Sequence, residues 1–328
     1  MEHPPPGPAG WSAKGRYIRW KSTLPENSSF EQLNVFTVCL GRKTAPAVVA
    51  IHGYPTSSYD FARLVASLGE DVFFCALDTP GHGFSDKPRN GYRFSLLDDA
   101  RLVDYFASDI LGLNEFTLLT HDRGDSVGLA LVQSYQERGP GPYKISQQII
   151  TNGNVYLPLA RLTRGQKLLL SPITGPFVAT LTSGRKMANT LAGLTYTPRL
   201  EDDDLKALAS ILDYQNGARV QHDLIQYLNE RKANEVAWLD VLGRSDIPAT
   251  LIWGELDQIA PTRVADYVWA KCLKGRKTTA RYWRIPCANH YLQADQPEIL
   301  AKLVRDAMGL ETRLDVQISS SCRPYAVG

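Results

Sequence analysis

The chain has 328 residues, of which 44% are hydrophobic and 21% are charged, and its formal net charge is +2. This length can bury a substantial core, as one large domain or as one domain with an insertion. The small net charge gives no electrostatic reason to expect a nucleic-acid partner or an anionic membrane surface. No apolar run is long enough to cross a bilayer and the N-terminus has no signal-peptide core, so we expect a soluble protein with no membrane partner.

The predicted elements alternate between strand and helix. Residues 1–30 are rich in Pro, Gly and Ser and predict a loose leader, with Trp11 and Trp20 as residues that could pin it to the body. Strands are predicted at 33–40, 47–51, 73–77, 116–120, 147–151, 249–253 and 282–285, and helices at 59–68, 96–111, 126–132, 262–271 and 296–308. Such alternation predicts a mostly parallel, doubly wound sheet covered by helices on both faces.

The long interval between the predicted strands 147–151 and 249–253 interrupts this alternation. Residues 152–248 have a mostly helical pattern with no strong strand. We therefore predict a core formed by residues 31–154 and 241–310, with an inserted helical cap at 155–240. Residues 311–328 are expected to be a loosely held tail.

The five cysteines show neither metal-ligand nor C-x-x-C spacing; they are Cys39, Cys75, Cys272, Cys287 and Cys322. An odd, scattered set indicates buried, reduced thiols, which favours the cytoplasm. No spacing in the chain implies a metal or an organic cofactor, so none is expected.

The stretch 116–125 predicts a nucleophile elbow, a strand that turns sharply into a helix and lifts one side chain to the edge of the sheet. Asp122 lies at the tip of the turn. Thr120 and Gly124, two residues to either side, are small, as the close approach of strand and helix requires. Asp122 is therefore the candidate nucleophile, although an Asp before a helix can also be a simple N-cap.

A competing motif lies a few residues further on, where residues 124–128 match the serine-hydrolase pattern G-x-S-x-G. The motif has meaning only where strand passes directly into helix. The strand is predicted to end at Thr120, which places Ser126 already in the first helical turn. Asp122 is favoured, and Ser126 is interpreted as a small residue that lets the helix pack on the sheet.

Two further candidates follow predicted strands, where open α/β sheets place their sites. Asp257 lies just beyond strand 249–253, and His290 lies in the loop after strand 282–285. The order nucleophile, acid, base is that of the α/β-hydrolase arrangement. His290 would be the general base and Asp257 would fix its tautomer, with Glu255 as the alternative acid.

An oxyanion hole is predicted beside Asp122. The sequence His52-Gly53-Tyr54-Pro55 follows a long buried strand, where this arrangement supplies one N–H group. The backbone N–H groups of Tyr54 and Arg123 would then bind the developing oxyanion. We expect His52 to brace the loops.

These motifs resemble a known family. Residues 52–55, 81–88 and 121–124 are similar to the epoxide hydrolase and haloalkane dehalogenase branch of the α/β-hydrolase superfamily. Residues 52–60, 84–88 and 226–232 also resemble the mesoderm-specific transcript group, and the likeness extends over roughly residues 30–310. The resemblance implies that Asp122 attacks an electrophilic carbon to form an alkyl-enzyme ester, which water activated by His290 then hydrolyses.

The leaving-group side separates the members of this branch. The resemblance to epoxide hydrolases implies two cap tyrosines that protonate the epoxide oxygen. Tyr227 matches the second by its distance from the nucleophile. The first has no clear match, and Tyr156 at the root of the cap is the leading substitute, ahead of Tyr196 and Tyr214.

Dehalogenases are matched less well. Haloalkane dehalogenases usually carry Trp after the nucleophile and Asn or Trp in the first loop, where this chain has Arg123 and Tyr54. Fluoroacetate dehalogenases share the Asp122-Arg123 pair, but their second substrate-binding Arg corresponds to Ser126, and their cap His-Trp pair has no match. Epoxide hydrolysis leads by elimination.

The expected substrate is a small apolar electrophile, because the cap segments 168–170, 172–173 and 176–178 are apolar, although they also suit packing of the cap on the body. The alternatives are a dehalogenase with the same nucleophile, a serine esterase that uses Ser126, and a non-catalytic binding protein with the hydrolase fold. The oligomeric state stays open, with a homodimer as one option.

Overall fold

The computed structural model describes residues 7–139, 141–310 and 319–328. They form one sheet with the strand order β1-β2-β4-β3-β5-β6-β7-β8-β9. The strands are β1 (Gly15–Trp20), β2 (Leu33–Leu40), β3 (Ala47–Ile51), β4 (Phe73–Leu77), β5 (Glu115–His121), β6 (Lys144–Thr151), β7 (Ala249–Gly254), β8 (Ala280–Ile285) and β9 (Tyr325–Ala326). From β4 to β8 every neighbouring pair is parallel, while β1, β2 and β9 run antiparallel to their neighbours.

Helices cover both faces of this sheet. The helices are α1 (Pro8–Lys14), α2 (Ala62–Leu68), α3 (Leu96–Tyr105), α4 (Arg123–Arg138), α5 (Arg164–Leu170), α6 (Gly175–Leu181), α7 (Gly184–Leu194), α8 (Asp202–Asp213), α9 (Gln221–Ile225), α10 (Tyr227–Arg244), α11 (Thr262–Val268), α12 (Leu292–Asp295) and α13 (Pro297–Ala307). Strand β3 shows why both faces need cover. Val49 packs in one apolar core with α3 and α4, and Val48 packs in the other with α2 and α13. Successive side chains of a strand point to opposite faces, so a fully apolar strand must be buried on both.

The segment between β6 and β7, residues 152–248, carries helices α5 to α10 and no strand among its residues. We call it the helical insert. The expected cap at 155–240 falls inside it, but helix α10 continues through residue 240 to Arg244 and packs against α4 of the core. No helix within the described residues combines the length and hydropathy needed to cross a membrane.

The N-terminal segment differs from the loose leader that its composition predicts. Residues 8–20 form α1 and the edge strand β1, which pairs with β2 from Gly15 to Trp20. Trp11 is fully buried, and its indole N–H donates to Ser58 Oγ at 3.2 Å. The two tryptophans bury enough apolar surface to hold this segment against the body, as the alternative interpretation expected.

The expectation of reduced cysteines is wrong for the pairs that the structure joins. Cys39 and Cys75 lie directly opposite each other on β2 and β4 and form a disulfide. Cys287 and Cys322 form a second disulfide, which ties residues 319–328 to the sheet next to β9, while Cys272 is free. The described end of the tail is therefore held, and the cysteine argument for a cytoplasmic location is lost. Residues 311–318 lie outside the described residues.

Candidate active site

The elbow has the geometry that the sequence predicts. Strand β5 ends at His121 and helix α4 begins at Arg123, so that Asp122 is the single residue between them, with φ +52° and ψ −115°. A non-glycine residue in this region of φ is uncommon and is a feature of strained functional turns. A Cβ added to Gly124 would lie 2.4 Å from the carbonyl oxygen of Ile51, so the close approach of helix and strand requires glycine there.

Three candidate residues meet at the carboxyl edge of the sheet. Oδ2 of Asp122 lies 3.5 Å from Nε2 of His290, and Nδ1 of His290 lies 2.8 Å from Oδ2 of Asp257. All three side chains are buried. They come from three separate loops, after β5, β7 and β8, which the parallel sheet brings to one edge.

The charges of these residues depend on one another. Burial by itself would lower the pKa of His290, but the charge of Asp257, the hydrogen bonds to both carboxylates and the charge of Asp122 raise it to about 10. Burial by itself would raise the pKa of Asp122, but hydrogen bonding and charge from His290 outweigh it and lower that pKa. The same balance lowers the pKa of Asp257. These shifts favour an imidazolium between two carboxylates in the free site.

Asn152 is a site residue that sequence reasoning did not single out. Its side-chain amide donates to Oδ2 of Asp257 at 2.7 Å, and its Oδ1 accepts from the N–H of Gly254 at 2.8 Å. The backbone N–H groups of Ile259 and Ala260 donate to Oδ1 of Asp257 at 2.7 and 2.9 Å. The available signal was position, because Asn152 directly follows β6 at the edge where Asp122 and Asp257 also lie.

The predicted oxyanion hole faces one oxygen of the elbow carboxylate. The N–H of Tyr54 donates to Oδ1 of Asp122 at 2.8 Å. His52 braces this loop, since its Nδ1 lies 2.7 Å from the carbonyl oxygen of Gly53 and its Nε2 accepts from the N–H of Thr79 at 3.1 Å. Burial lowers the pKa of His52 to about 4, which keeps the ring neutral.

The side chain of Arg123 has a separate partner. The backbone N–H of Arg123 is the first of helix α4, and the first backbone N–H groups of a helix have no partner within the helix. Its guanidinium is buried and forms an ion pair with Asp99, and it also lies over the ring of Tyr227 at 5.6 Å. Burial raises the pKa of Asp99 to about 6, against the opposing charge of Arg123. The backbone N–H of Arg123 thus lies at the elbow, while the charge of its guanidinium is balanced by Asp99.

The two competing residues, Ser126 and Glu255, are held elsewhere. Ser126 lies buried in the first turn of α4, as its position predicts, and is not among the residues that line the cavity described next. Glu255 accepts a hydrogen bond from Tyr325 of β9 and lies 3.6 Å from Arg284. Neither has a hydrogen bond to His290 among the described contacts.

A cavity of about 200 Å³ opens on the Asp122 and His290 side chains. Tyr54 and Tyr291 line its inner end, and apolar residues of the insert line its walls; these are Leu169, Val178, Met187, Leu191 and Leu194. A larger cleft of about 880 Å³ lies at the opposite edge of the sheet, near the starts of β3, β4 and β5, and contains none of the candidate residues. We place the site in the smaller cavity because the chemistry-bearing side chains are there.

The two candidate cap tyrosines differ in position. Tyr227 does not line the cavity, but it is buried and its ring packs at 5.7 Å between centroids against Tyr54, which does line it. Tyr156 stacks on Tyr267 at 3.8 Å and does not line the cavity. The position of Tyr156 therefore does not support its expected role as the first cap tyrosine, because its ring stacks on Tyr267 of the core. Tyr54 carries a buried hydroxyl with no hydrogen-bond partner among the described residues.

Fold and site together define an α/β hydrolase. Residues 46–297 match the family model of the alpha/beta hydrolase fold, and the chain belongs to that family. It is 31% identical over 264 residues to the protein LipZ of Mycobacterium tuberculosis, covering 80% of this chain and 88% of LipZ. It is also 31% identical over 270 residues to the human mesoderm-specific transcript homolog protein, covering 79% and 77% of the two chains.

The solved structure of haloalkane dehalogenase DbeA from Bradyrhizobium elkani has the same fold. It superposes with a TM-score of 0.71 at 18% identity, over 90% of this chain and 98% of DbeA. These similarities place the chain in the α/β-hydrolase family and show that its fold is shared with a solved haloalkane dehalogenase.

Proposed function

We propose that this hydrolase uses Asp122 as a carboxylate nucleophile and opens an epoxide to a vicinal diol. The observation that carries the proposal is the position of Asp122 at the elbow, with Oδ1 bonded to the N–H of Tyr54 and Oδ2 facing His290. The lowered pKa of Asp122 keeps the carboxylate ionised and able to attack carbon.

In the first step, Oδ2 of Asp122 bonds to an epoxide carbon and the ring C–O bond breaks. The epoxide oxygen leaves as an alkoxide and takes a proton from a phenol. The phenolate recovers a proton, by way of solvent, from the imidazolium of His290, which becomes a neutral imidazole. Water then adds to the carbonyl carbon of the new ester and passes a proton to His290. The N–H groups of Tyr54 and Arg123 stabilise the oxyanion on Oδ1. Its collapse breaks the bond between the carbonyl carbon and the substrate oxygen, which takes the proton from His290 to give the diol. The carboxyl group of Asp122 then returns its proton to the imidazole.

Neutralisation of Asp122 in the ester has a useful consequence. His290 loses one of the two negative charges that raise its pKa, so its affinity for a proton falls. The imidazole can then act as a general base toward water while Asp257 still holds its tautomer. The covalent step thereby prepares the group that completes the reaction.

An epoxide suits this cavity better than an alkyl halide or a haloacid. Halide sites need N–H donors such as Trp or Asn, and neither residue type occurs among the described residues that line the cavity. A haloacid needs a cation beside the nucleophile. The guanidinium of Arg123 is paired with Asp99, and the Lys186 ammonium at the cavity wall donates to the carbonyl oxygen of Leu181 at 2.9 Å. Phenols are present at the inner end, and they can protonate an alkoxide.

For the acid we propose Tyr227 together with Tyr54. Burial and the nearby charge of Asp122 raise the pKa of both phenols, which keeps them protonated. The Tyr54 hydroxyl is buried and has no partner among the described residues, so a substrate oxygen would satisfy it. A buried donor left unpaired is costly, and such donors are typical of sites that complete their hydrogen bonds only with substrate.

A dehalogenase with the same nucleophile is the second candidate. The relatives that favour it include a haloalkane dehalogenase of Mycobacterium marinum, similar over most of both chains. Its chemistry needs the same Asp122 and His290, but it does not need a phenol.

The deciding experiment is the intact mass of His290→Ala after separate exposure to styrene oxide, 1-bromobutane and p-nitrophenyl butyrate. Loss of the base lets the first step proceed and blocks hydrolysis, so a covalent ester accumulates. We expect a gain equal to the whole mass of styrene oxide, located at Asp122 by peptide mapping. Tyr54→Phe and Tyr227→Phe, each combined with His290→Ala, should slow adduct formation with the epoxide and leave any reaction with the bromide unchanged.

Other outcomes would overturn the proposal at different points. A butyl adduct on Asp122 from the bromide, without an epoxide adduct, would make the protein a dehalogenase. Turnover of p-nitrophenyl butyrate by the wild type that Ser126→Ala abolishes and Asp122→Asn leaves unchanged would make it a serine esterase. An epoxide adduct that persists in the Asp122→Asn/His290→Ala double variant would exclude Asp122 as nucleophile.

A further inference from the structure

The outer face of helices α5 and α6 exposes large apolar side chains. Ile173 is 87% exposed and Phe177 is 67% exposed, while Leu168 and Leu181 are about half exposed. Phe177 and Leu181 lie four residues apart on α6 and therefore share one face. Thr174 Oγ1 donates to the carbonyl oxygen of Leu168 at 2.7 Å, which brings α5 next to the start of α6. We call Leu168, Ile173, Phe177 and Leu181 the outer apolar patch.

The stretch of chain that carries the patch is rich in positive charge. Residues 155–200 contain no Asp or Glu and six basic residues, all exposed; they are Arg161, Arg164, Lys167, Arg185, Lys186 and Arg199. None of the six forms an ion pair with a described residue. Lys186 Nζ donates to the carbonyl oxygen of Leu181 at 2.9 Å, so one of these charges lies directly at the end of the patch helix.

The net charge of the chain hides this local charge. The formal value of +2 sums acidic and basic residues over the whole sequence, whereas this segment alone carries +6. Lys206 shows the contrast, because it lies on α8 beside Asp203 and is paired with it. The expectation of no anionic membrane surface rested on the sum and does not apply to one face of the insert.

The same helices also form the cavity wall. Leu169 of α5 and Val178 of α6 line the cavity, while their neighbours Leu168 and Phe177 belong to the outer patch. Helices α5 and α6 are thus apolar on two faces. A surface helix of a globular protein normally turns its second face to water with polar residues, so the outer face is built for an apolar contact.

We propose that the outer apolar patch and its basic rim dock the insert on an anionic phospholipid surface. Exposed Phe, Leu and Ile insert at the boundary of headgroups and acyl chains, and flanking Lys and Arg bind the acidic headgroups. A second copy of this chain is a poorer occupant, because two such faces would bring their unpaired positive charges together. The inference does not depend on the identity of the substrate.

Vesicle sedimentation tests the proposal with the full chain. We would compare phosphatidylcholine vesicles with vesicles that contain about 30% phosphatidylserine, at roughly 0.1 M salt. The wild type should sediment with the anionic vesicles and should not sediment with the neutral ones. Ile173→Ser/Phe177→Ser should lower the partition coefficient about tenfold or more. Lys167→Gln/Arg185→Gln should lower it about tenfold on anionic vesicles.

The matched control is Lys232→Glu/Val236→Ser. These residues lie four apart on α10, Val236 is 82% exposed, and the double substitution removes an equal net charge and one exposed apolar side chain outside the patch. It should bind as the wild type does. Failure of the wild type to bind anionic vesicles would overturn the proposal, as would an equal loss in the control. Sedimentation equilibrium of the wild type adds a last check. If the wild type is a dimer and Ile173→Ser/Phe177→Ser dissociates it, the patch binds a second copy of the chain and the membrane proposal is wrong.

Discussion

The side-chain amide of Asn152 donates to Oδ2 of Asp257, the same oxygen that lies 2.8 Å from Nδ1 of His290. Asn152 adopts φ +41°, which Asn tolerates better than most residues, and the N–H of Gly254 fixes which way its amide points. Asp257, the proposed acid, is therefore itself oriented by a neighbour. Asn152 is a positioning residue in this arrangement.

Replacement of Asn152 by Ala should lower kcat about ten- to hundredfold with little change in KM, because a hydrogen bond to a charged group contributes about 1.5–3 kcal/mol. The measurement is steady-state hydrolysis of the epoxide that the adduct experiment identifies. Asn152→Asp separates positioning from packing. When the introduced carboxyl group is protonated, it donates a hydrogen bond to Asp257 as the amide does. When the introduced carboxyl group is ionised, it repels Asp257. The activity of this variant should therefore fall as pH rises. A uniform loss at every pH would contradict the assignment.

The charge on His290 should respond to Asp122. The pKa of His290 is raised to about 10 mainly by Asp257, with Asp122 contributing. Asp122→Asn removes one carboxylate and should lower the pKa of His290 by about 1–3 units. An NMR titration of the imidazole nitrogens measures it directly. If the titration curve of His290 does not move, Asp122 does not hold the imidazolium and the proposed activation of the base is wrong.

The same shifts set a pH dependence of stability. A histidine pKa raised in the folded state stabilises the fold fully below its unfolded value of about 6.5, and this contribution is lost as pH rises through about 10. The lowered pKa values of Asp122 and Asp257 stabilise the fold above about pH 4, and this contribution is lost as pH falls. The difference in free energy of unfolding between the wild type and His290→Ala should therefore be largest at roughly pH 4 to 6.5 and shrink on both sides. Urea unfolding across pH measures it.

A Cβ at Gly124 should destabilise the elbow. It would lie 2.4 Å from the carbonyl oxygen of Ile51 and 2.8 Å from that of His52, and backbone atoms cannot move aside cheaply. Gly124→Ala should lower the free energy of unfolding by about 1–3 kcal/mol or more, measured by urea unfolding. Gly243→Ala is the control, since its Cβ would meet only an ordinary contact at 3.5 Å from Cys272, near the end of α10. That substitution should stabilise by about 0.5–1 kcal/mol.

The parts of the site that the sequence predicted are those that follow from position on a strand. Asp122, Asp257 and His290 each follow the carboxyl end of a strand in chain order, so a parallel sheet brings them to one edge whatever the rest of the chain does. The elbow could also be predicted, because the close approach of strand and helix requires small residues at fixed positions in the sequence. The roles of the three residues stay predictions.

What the sequence did not reveal depends on contacts between distant residues. Asn152 acts on a residue 105 positions away. Strand β9 has only two residues and pairs with β8 because the tail packs against that strand. The disulfide between Cys287 and Cys322 depends on the same contact. Tyr156 was proposed for its position at the root of the cap, but its ring stacks on that of Tyr267. Periodicity carries no information on such pairs.

The buried pair of Arg123 and Asp99 gives the last prediction. Both side chains are almost completely inaccessible, so removing one partner leaves an uncompensated buried charge. Arg123→Met should lower the free energy of unfolding by about 3–5 kcal/mol, and the double variant Arg123→Met/Asp99→Leu should recover much of that loss. Lys144→Met is the comparison, because its pair with Glu115 is exposed and should contribute at most about 1 kcal/mol. Urea unfolding of the four proteins gives these values. If Arg123→Met instead leaves stability unchanged and raises KM for a carboxylate substrate, the guanidinium serves the substrate and the haloacid assignment returns.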